Sequence, residues 1–112
     1  MQWAAIIEKS AVEIIAGEAH LRFYSASARR IFEGNEADQR TLPAKVSCAL
    51  CGTLIADEGR RMWMAFPSLF DFKQSIPDAF KPTCHIFYGS RVVDVADELP
   101  KWMGHKNRSA QL

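Results

Sequence analysis

Cys48-Ala49-Leu50-Cys51-Gly52 gathers the residue types richest in chemistry in this sequence. Two cysteines separated by two residues put both sulfurs on one turn, and Gly52 can take a positive φ as the chain doubles back. Zinc takes thiolates at about 2.3 Å and closes a structural site with four of them, or with imidazole in their place. Cys48 and Cys51 are half of such a set. The other metal-binding candidates are Cys84 and its neighbour His85. Adjacent residues on a strand point to opposite faces, so at most one of the two could join the pair. Two readings compete with zinc. A redox dithiol of thioredoxin type wants the motif at a helix N-terminus in a βαβ unit, and here the extended run Thr53-Leu54-Ile55-Ala56 follows instead. The plainer alternative is two incidental buried cysteines.

Outside that turn the chemistry is sparse. Cys84 reads as a small core residue and His85 as a hydrogen-bonded structural histidine. His20 and His105 read as solvated. Arg60-Arg61 and the run from Lys101 to Arg108 could meet a carboxylate-bearing small molecule, though solvated surface is the commoner meaning of such clusters. No Ser/His/Asp set, phosphate loop or carboxylate pair stands out.

The elements that must position the cysteine turn are short strands. Ala44-Lys45-Val46-Ser47 leads in and Thr53-Leu54-Ile55-Ala56-Asp57 leads away, which predicts a hairpin with the cysteines at its tip. Strands are also expected over residues 3–7, 12–18, 19–24, 28–32, 62–66, 84–88 and 91–95. In Ala19–Tyr24, period two sets Leu21 and Phe23 on one face. Met62-Trp63-Met64-Ala65-Phe66, the most apolar stretch, should be a central strand stopped by Pro67. Residues 33–43 read as a surface loop, or as a loop holding one helical turn, 57–61 as a charged turn, and 68–80 as irregular with a turn after Pro77. Leu99 and Trp102 dock the next segment, and 104–112 is a polar, frayed tail. Turn signals every 8 to 12 residues, without a long helical period, give a small, mostly β domain.

At 112 residues this is one domain with room for one core. Apolar content of 48% and charged content of 24% are ordinary for a globular protein, and a net charge of +1 offers no field for nucleic acid or an anionic membrane. No run reaches the roughly 20 apolar residues that span a bilayer. The start lacks the basic region of a secretion signal, and three cysteines without framework spacing argue against a disulfide scaffold, so a cytoplasmic, reduced protein is expected.

Residues 42–60, Leu-Pro-Ala-Lys-Val-Ser-Cys-Ala-Leu-Cys-Gly-Thr-Leu-Ile-Ala-Asp-Glu-Gly-Arg, resemble the GFA family. That is the group of glutathione-dependent formaldehyde-activating enzymes and centromere protein V, and the likeness is to its fungal branch. Cys84-His85-Ile86-Phe87-Tyr88-Gly89 and Lys101-Trp102-Met103-Gly104-His105-Lys106 add to it. The resemblance implies a β-tent fold of short twisted antiparallel sheets tied by a zinc knuckle, with Cys48 and Cys51 matching the later pair of a four-cysteine structural zinc. In the family a further cysteine cluster holds a catalytic zinc, and the activity is that of a carbon–sulfur lyase on S-hydroxymethylglutathione, an adduct of a small-molecule thiol with formaldehyde. Neither early cysteine motif occurs in this sequence. The expectation is therefore a single GFA-like domain over 1–112, incomplete at its N-terminus, with impaired catalysis. The alternative is a non-catalytic zinc-binding β module, in one form a homodimer in which each copy gives Cys48 and Cys51 to a shared four-thiolate site.

Overall fold

The first unit is built from six short strands whose successive side chains point to opposite faces: β1 (Ala5–Glu8), β2 (Leu21–Ser25), β3 (Arg30–Glu33), β4 (Ala44–Cys48), β5 (Leu54–Glu58) and β6 (Met62–Ala65). They belong to a computed structural model that describes residues 1–112, in which the chain divides into two units, Met1–Asp71 and Phe72–Leu112. The strands of the first unit form one antiparallel sheet in the order β1-β6-β5-β4-β2-β3. The fold is mostly β, with short 3-10 turns as its only helical structure.

Register explains the core. Phe32 lies opposite Phe23, Phe23 opposite Val46, Val46 opposite Ala56, and Ala56 opposite Ala65, so one row of apolar side chains crosses five strands on one face. Phe23, Phe32, Ala44, Val46 and Ala56 are buried there, with Val46 at 0% exposure. Leu21, Ala37, Leu42 and Trp63 pack against them. The other face carries cross-strand ion pairs, Arg22 with Glu33 at 3.1 Å and Lys45 with Asp57 at 2.9 Å. The expected hairpin around the cysteines is β4 and β5, and the loop after β3 holds a 3-10 turn over Gly34–Gln39.

Several segments depart from the sequence reading. Residues 12–16 form no strand: a 3-10 turn at Lys9–Ala11 and another at Glu18–His20 bracket them, and Ile15 is exposed. Ile14 and Ile15 have strand-like residue types, but no neighbouring strand pairs with them and both are exposed. The stretch expected as a charged turn contributes Asp57 and Glu58 to β5, where Glu58 is the most buried charge, 2% exposed. β6 is paired on both sides, with β1 and β5, but its four residues are only half-buried.

The second unit contains no strand of the sheet, so the expectations over 84–88 and 91–95 are corrected. Residues 85–88 run alongside 100–104 through backbone bonds from His85 N–H to Pro100 O, Tyr88 N–H to Trp102 O and Phe87 N–H to Gly104 O, with one bridge at His85 and Lys101. The 91–95 segment pairs with no strand: Val92 is 99% exposed, the Arg91 side chain bonds Asp94 and the Tyr88 carbonyl, and Val95 N–H donates to the Tyr88 hydroxyl. The C-terminal residues are not frayed. Trp102 bridges Gln111, Met103 N–H bonds Ala110 O, and the Ser109 hydroxyl accepts from Gly104 N–H, folding 104–112 back on its approach. The single turn expected after Pro77 is present at Asp78–Phe80.

Candidate metal centre

Cys48 ends β4 on the core face, opposite Leu21, and is half-buried. Four residues then reverse the chain. Gly52 N–H bonds the Cys48 carbonyl at 2.8 Å, Cys48 N–H bonds the Thr53 carbonyl at 2.9 Å, and Gly52 sits at φ 79°. That left-handed conformation is why a glycine follows the second cysteine. Ala49 N–H bonds the His20 carbonyl at 2.8 Å, tying the turn to the segment that enters β2. Cys51 is exposed at the tip, and no atom lies within 4 Å of where a Gly52 side chain would start.

Both thiols are free, and they flank one tight turn. The Cys51 sulfur lies 3.1 Å from the Thr53 hydroxyl. That hydroxyl, then the Thr53 backbone and the Cys48 thiol, pull the Cys51 thiol below its ordinary value, because each stabilises the thiolate. A thiolate is the form that binds zinc, so the turn favours the metal-ready state. As a zinc ligand set it is two donors of four. No group of three or more His, Cys, Asp or Glu side chains is gathered anywhere in the chain.

The other metal-binding candidates from the sequence, Cys84 and His85, stand in the second unit. Cys84 is half-buried. His85 Nε2 lies 2.7 Å from Asp97 Oδ2, and Lys101 Nζ lies 2.9 Å from Asp97 Oδ1. Lys101 and then His85 hold the Asp97 carboxyl down to about 2. His85 is thus hydrogen-bonded, as expected. His20 is exposed, whereas His105 packs edge-on against Phe87 with centroids 4.7 Å apart. Within the basic runs, Lys101 is engaged by Asp97 and by the Asp97 and Leu99 carbonyls, while Arg60 and Arg61 are exposed.

Two features escape a reading of the sequence. Thr53 reads there only as strand, although a hydroxyl two residues after a cysteine is the available signal. Glu58 reads as turn, yet its carboxylate receives Arg40 Nε at 2.5 Å, Arg40 Nη2 at 2.9 Å and Lys9 Nζ at 2.9 Å. Burial alone would raise Glu58, but the bonds from Arg40 and Lys9 outweigh it and lower it. Nothing in local spacing links positions 9, 40 and 58. In comparisons with known proteins, no protein-family model, no curated protein and no solved structure matches this chain.

Proposed function

We propose that this chain is a zinc-binding β module of GFA type, with Cys48 and Cys51 as two thiolate ligands of a structural Zn2+ and the sheet as a β-tent. The observation that carries this reading is the hairpin tip: two adjacent free thiols on a tight turn, one lowered toward thiolate by Thr53. Zinc there would supply cross-linking rather than chemistry, because a fully thiolate-bound ion leaves no open position. Two donors leave two places to fill, and a second copy presenting the same turn fills them by symmetry.

The test is zinc content together with molar mass by light scattering on one purified sample. Half a zinc per chain in a dimer is expected, with a zinc-free monomer from Cys48→Ser. A zinc-free wild-type chain overturns the metal reading, and one zinc per monomer overturns the shared site.

The resemblance carries a second reading, a carbon–sulfur lyase acting on S-hydroxymethylglutathione, supported by residues 42–60 forming the hairpin that places Cys48 and Cys51. Turnover of that adduct above the uncatalysed rate by zinc-loaded protein is its test. A rate equal to the uncatalysed one eliminates it.

A further inference from the structure

The two sulfurs at the hairpin tip are not equivalent. Cys48 is anchored at the end of β4, on the core side and opposite Leu21, with its N–H bonded across the hairpin. Cys51 projects from the tip, between an exposed Leu50 and a glycine whose side-chain direction is open space. Attack on a disulfide proceeds in line with the S–S bond, so the attacking sulfur needs a clear approach and the second needs only to reach the first. Cys51 has the approach and Cys48 has the reach, because the two cysteines flank one turn held by the Gly52-to-Cys48 and Ala49-to-His20 backbone bonds. Cys84 belongs to the other unit, outside this turn.

We propose that the hairpin tip is a thiol–disulfide exchange site for small soluble disulfides, with Cys51 the attacking sulfur and Cys48 the resolving one. Cys51 sulfur attacks one sulfur of the disulfide RSSR, forming a Cys51–SR mixed disulfide and expelling RS⁻. Cys48 sulfur then attacks Cys51 sulfur, forming the Cys48–Cys51 disulfide and expelling the second RS⁻. The two protons lost by the cysteines end on the two RS⁻ groups. The protein dithiol is oxidised by two electrons and RSSR is reduced to two RSH. No helix follows the motif, so the site differs from the thioredoxin arrangement: a hydroxyl and a tight turn stand where that arrangement has a helix N-terminus. A sulfur in a disulfide has no charge to give zinc, so oxidation and metal binding exclude each other at this tip. Only that last consequence rests on the zinc reading proposed above.

The test uses the full chain, reduced and with its zinc content measured, mixed with excess bis(2-hydroxyethyl) disulfide and sampled by acid quench, intact mass and peptide mapping. The first adduct is expected on Cys51, followed by an internal Cys48–Cys51 disulfide. Cys48→Ser should trap the Cys51 adduct. Cys51→Ser should slow adduct formation by about tenfold or more, as expected for losing the accessible thiol. First modification at Cys48 or Cys84, or a Cys51 adduct in wild type that never resolves, overturns the proposal. Both of those outcomes are read on wild-type protein, so neither depends on how the variants fold. Exchange in a protein that takes up no zinc sinks the metal reading alone. A protein that binds zinc, but does not exchange when reduced and stripped of metal, sinks this proposal alone.

Discussion

The Thr53 hydroxyl stabilises the Cys51 thiolate because a hydroxyl can donate to S⁻, and a thiol is a far weaker acceptor. Thr53→Val keeps the β-branched shape and removes the donor, so the Cys51 value should rise toward that of an ordinary cysteine. The rate of Cys51 alkylation followed against pH should then shift its midpoint upward, while Thr53→Ser should leave it in place. An unmoved midpoint in Thr53→Val would assign the lowering to the turn backbone and Cys48 instead. Gly52 belongs to the same scale. Its φ of 79° is costly for any residue with a Cβ, by about 1–2 kcal/mol, although the space beyond it is open.

At the scale of elements, Glu58 at the end of β5 clasps the 9–11 turn through Lys9 and the loop after the 34–39 turn through Arg40. Arg40 also stacks its guanidinium 4.2 Å over the Phe23 ring and bonds the Ala37 carbonyl, so one side chain joins β2, β5 and the loop. Glu58→Gln removes the charge but keeps the volume, and leaves two cations facing an amide. Lys9 and Arg40 retain some exposure and rehydrate in part, which places the expected loss at about 2–3 kcal/mol, below that of breaking a fully buried pair. Urea unfolding of the variant against wild type measures it. A loss below about 0.5 kcal/mol, the range of surface substitutions, would show the clasp to be incidental.

For the whole molecule, the depressed carboxylates set the acid limb of stability. Glu58 and Asp97 both have folded values below their unfolded ones. Such groups contribute stability that is fully present above the unfolded value and is lost as pH falls through the folded one. For Asp97 the window runs from the ordinary 3.8 down to about 2. For Glu58 it begins below the ordinary 4.5. Denaturant midpoints measured from pH 6 downward should therefore hold until roughly pH 5 and then fall. Asp97→Asn should flatten the lowest part of that limb and Glu58→Gln the part contributed by the clasp. A limb of unchanged slope in both variants would place the acid sensitivity elsewhere.

Period-two alternation is enough to find β2, and the apolar runs flanking the cysteines are enough to find β4, β5 and the hairpin, because strand pairing across a short turn is a local matter. The same locality makes Cys48 and Cys51 legible as a pair, since two intervening residues and a glycine suffice to bring two sulfurs together. Residues 12–18 and 91–95 are apolar enough to be strands, and 84–88 finds only a single bridge at His85 and Lys101, because a strand exists only when a partner supplies the other half of its hydrogen bonds, and that is a tertiary condition. The same holds for charge. In sequence Glu58 sits beside Asp57, Gly59 and Arg60 and looks like any turn residue. It is buried because Lys9 and Arg40, far from it along the chain, are delivered to it by the sheet. By itself the sequence determined the mostly β class and the cysteine turn, through contacts a few residues apart. Tertiary structure alone decided which apolar runs found partners, which of the two sulfurs faces solvent, and where the buried charge lies, because each depends on residues that only the folded sheet brings together.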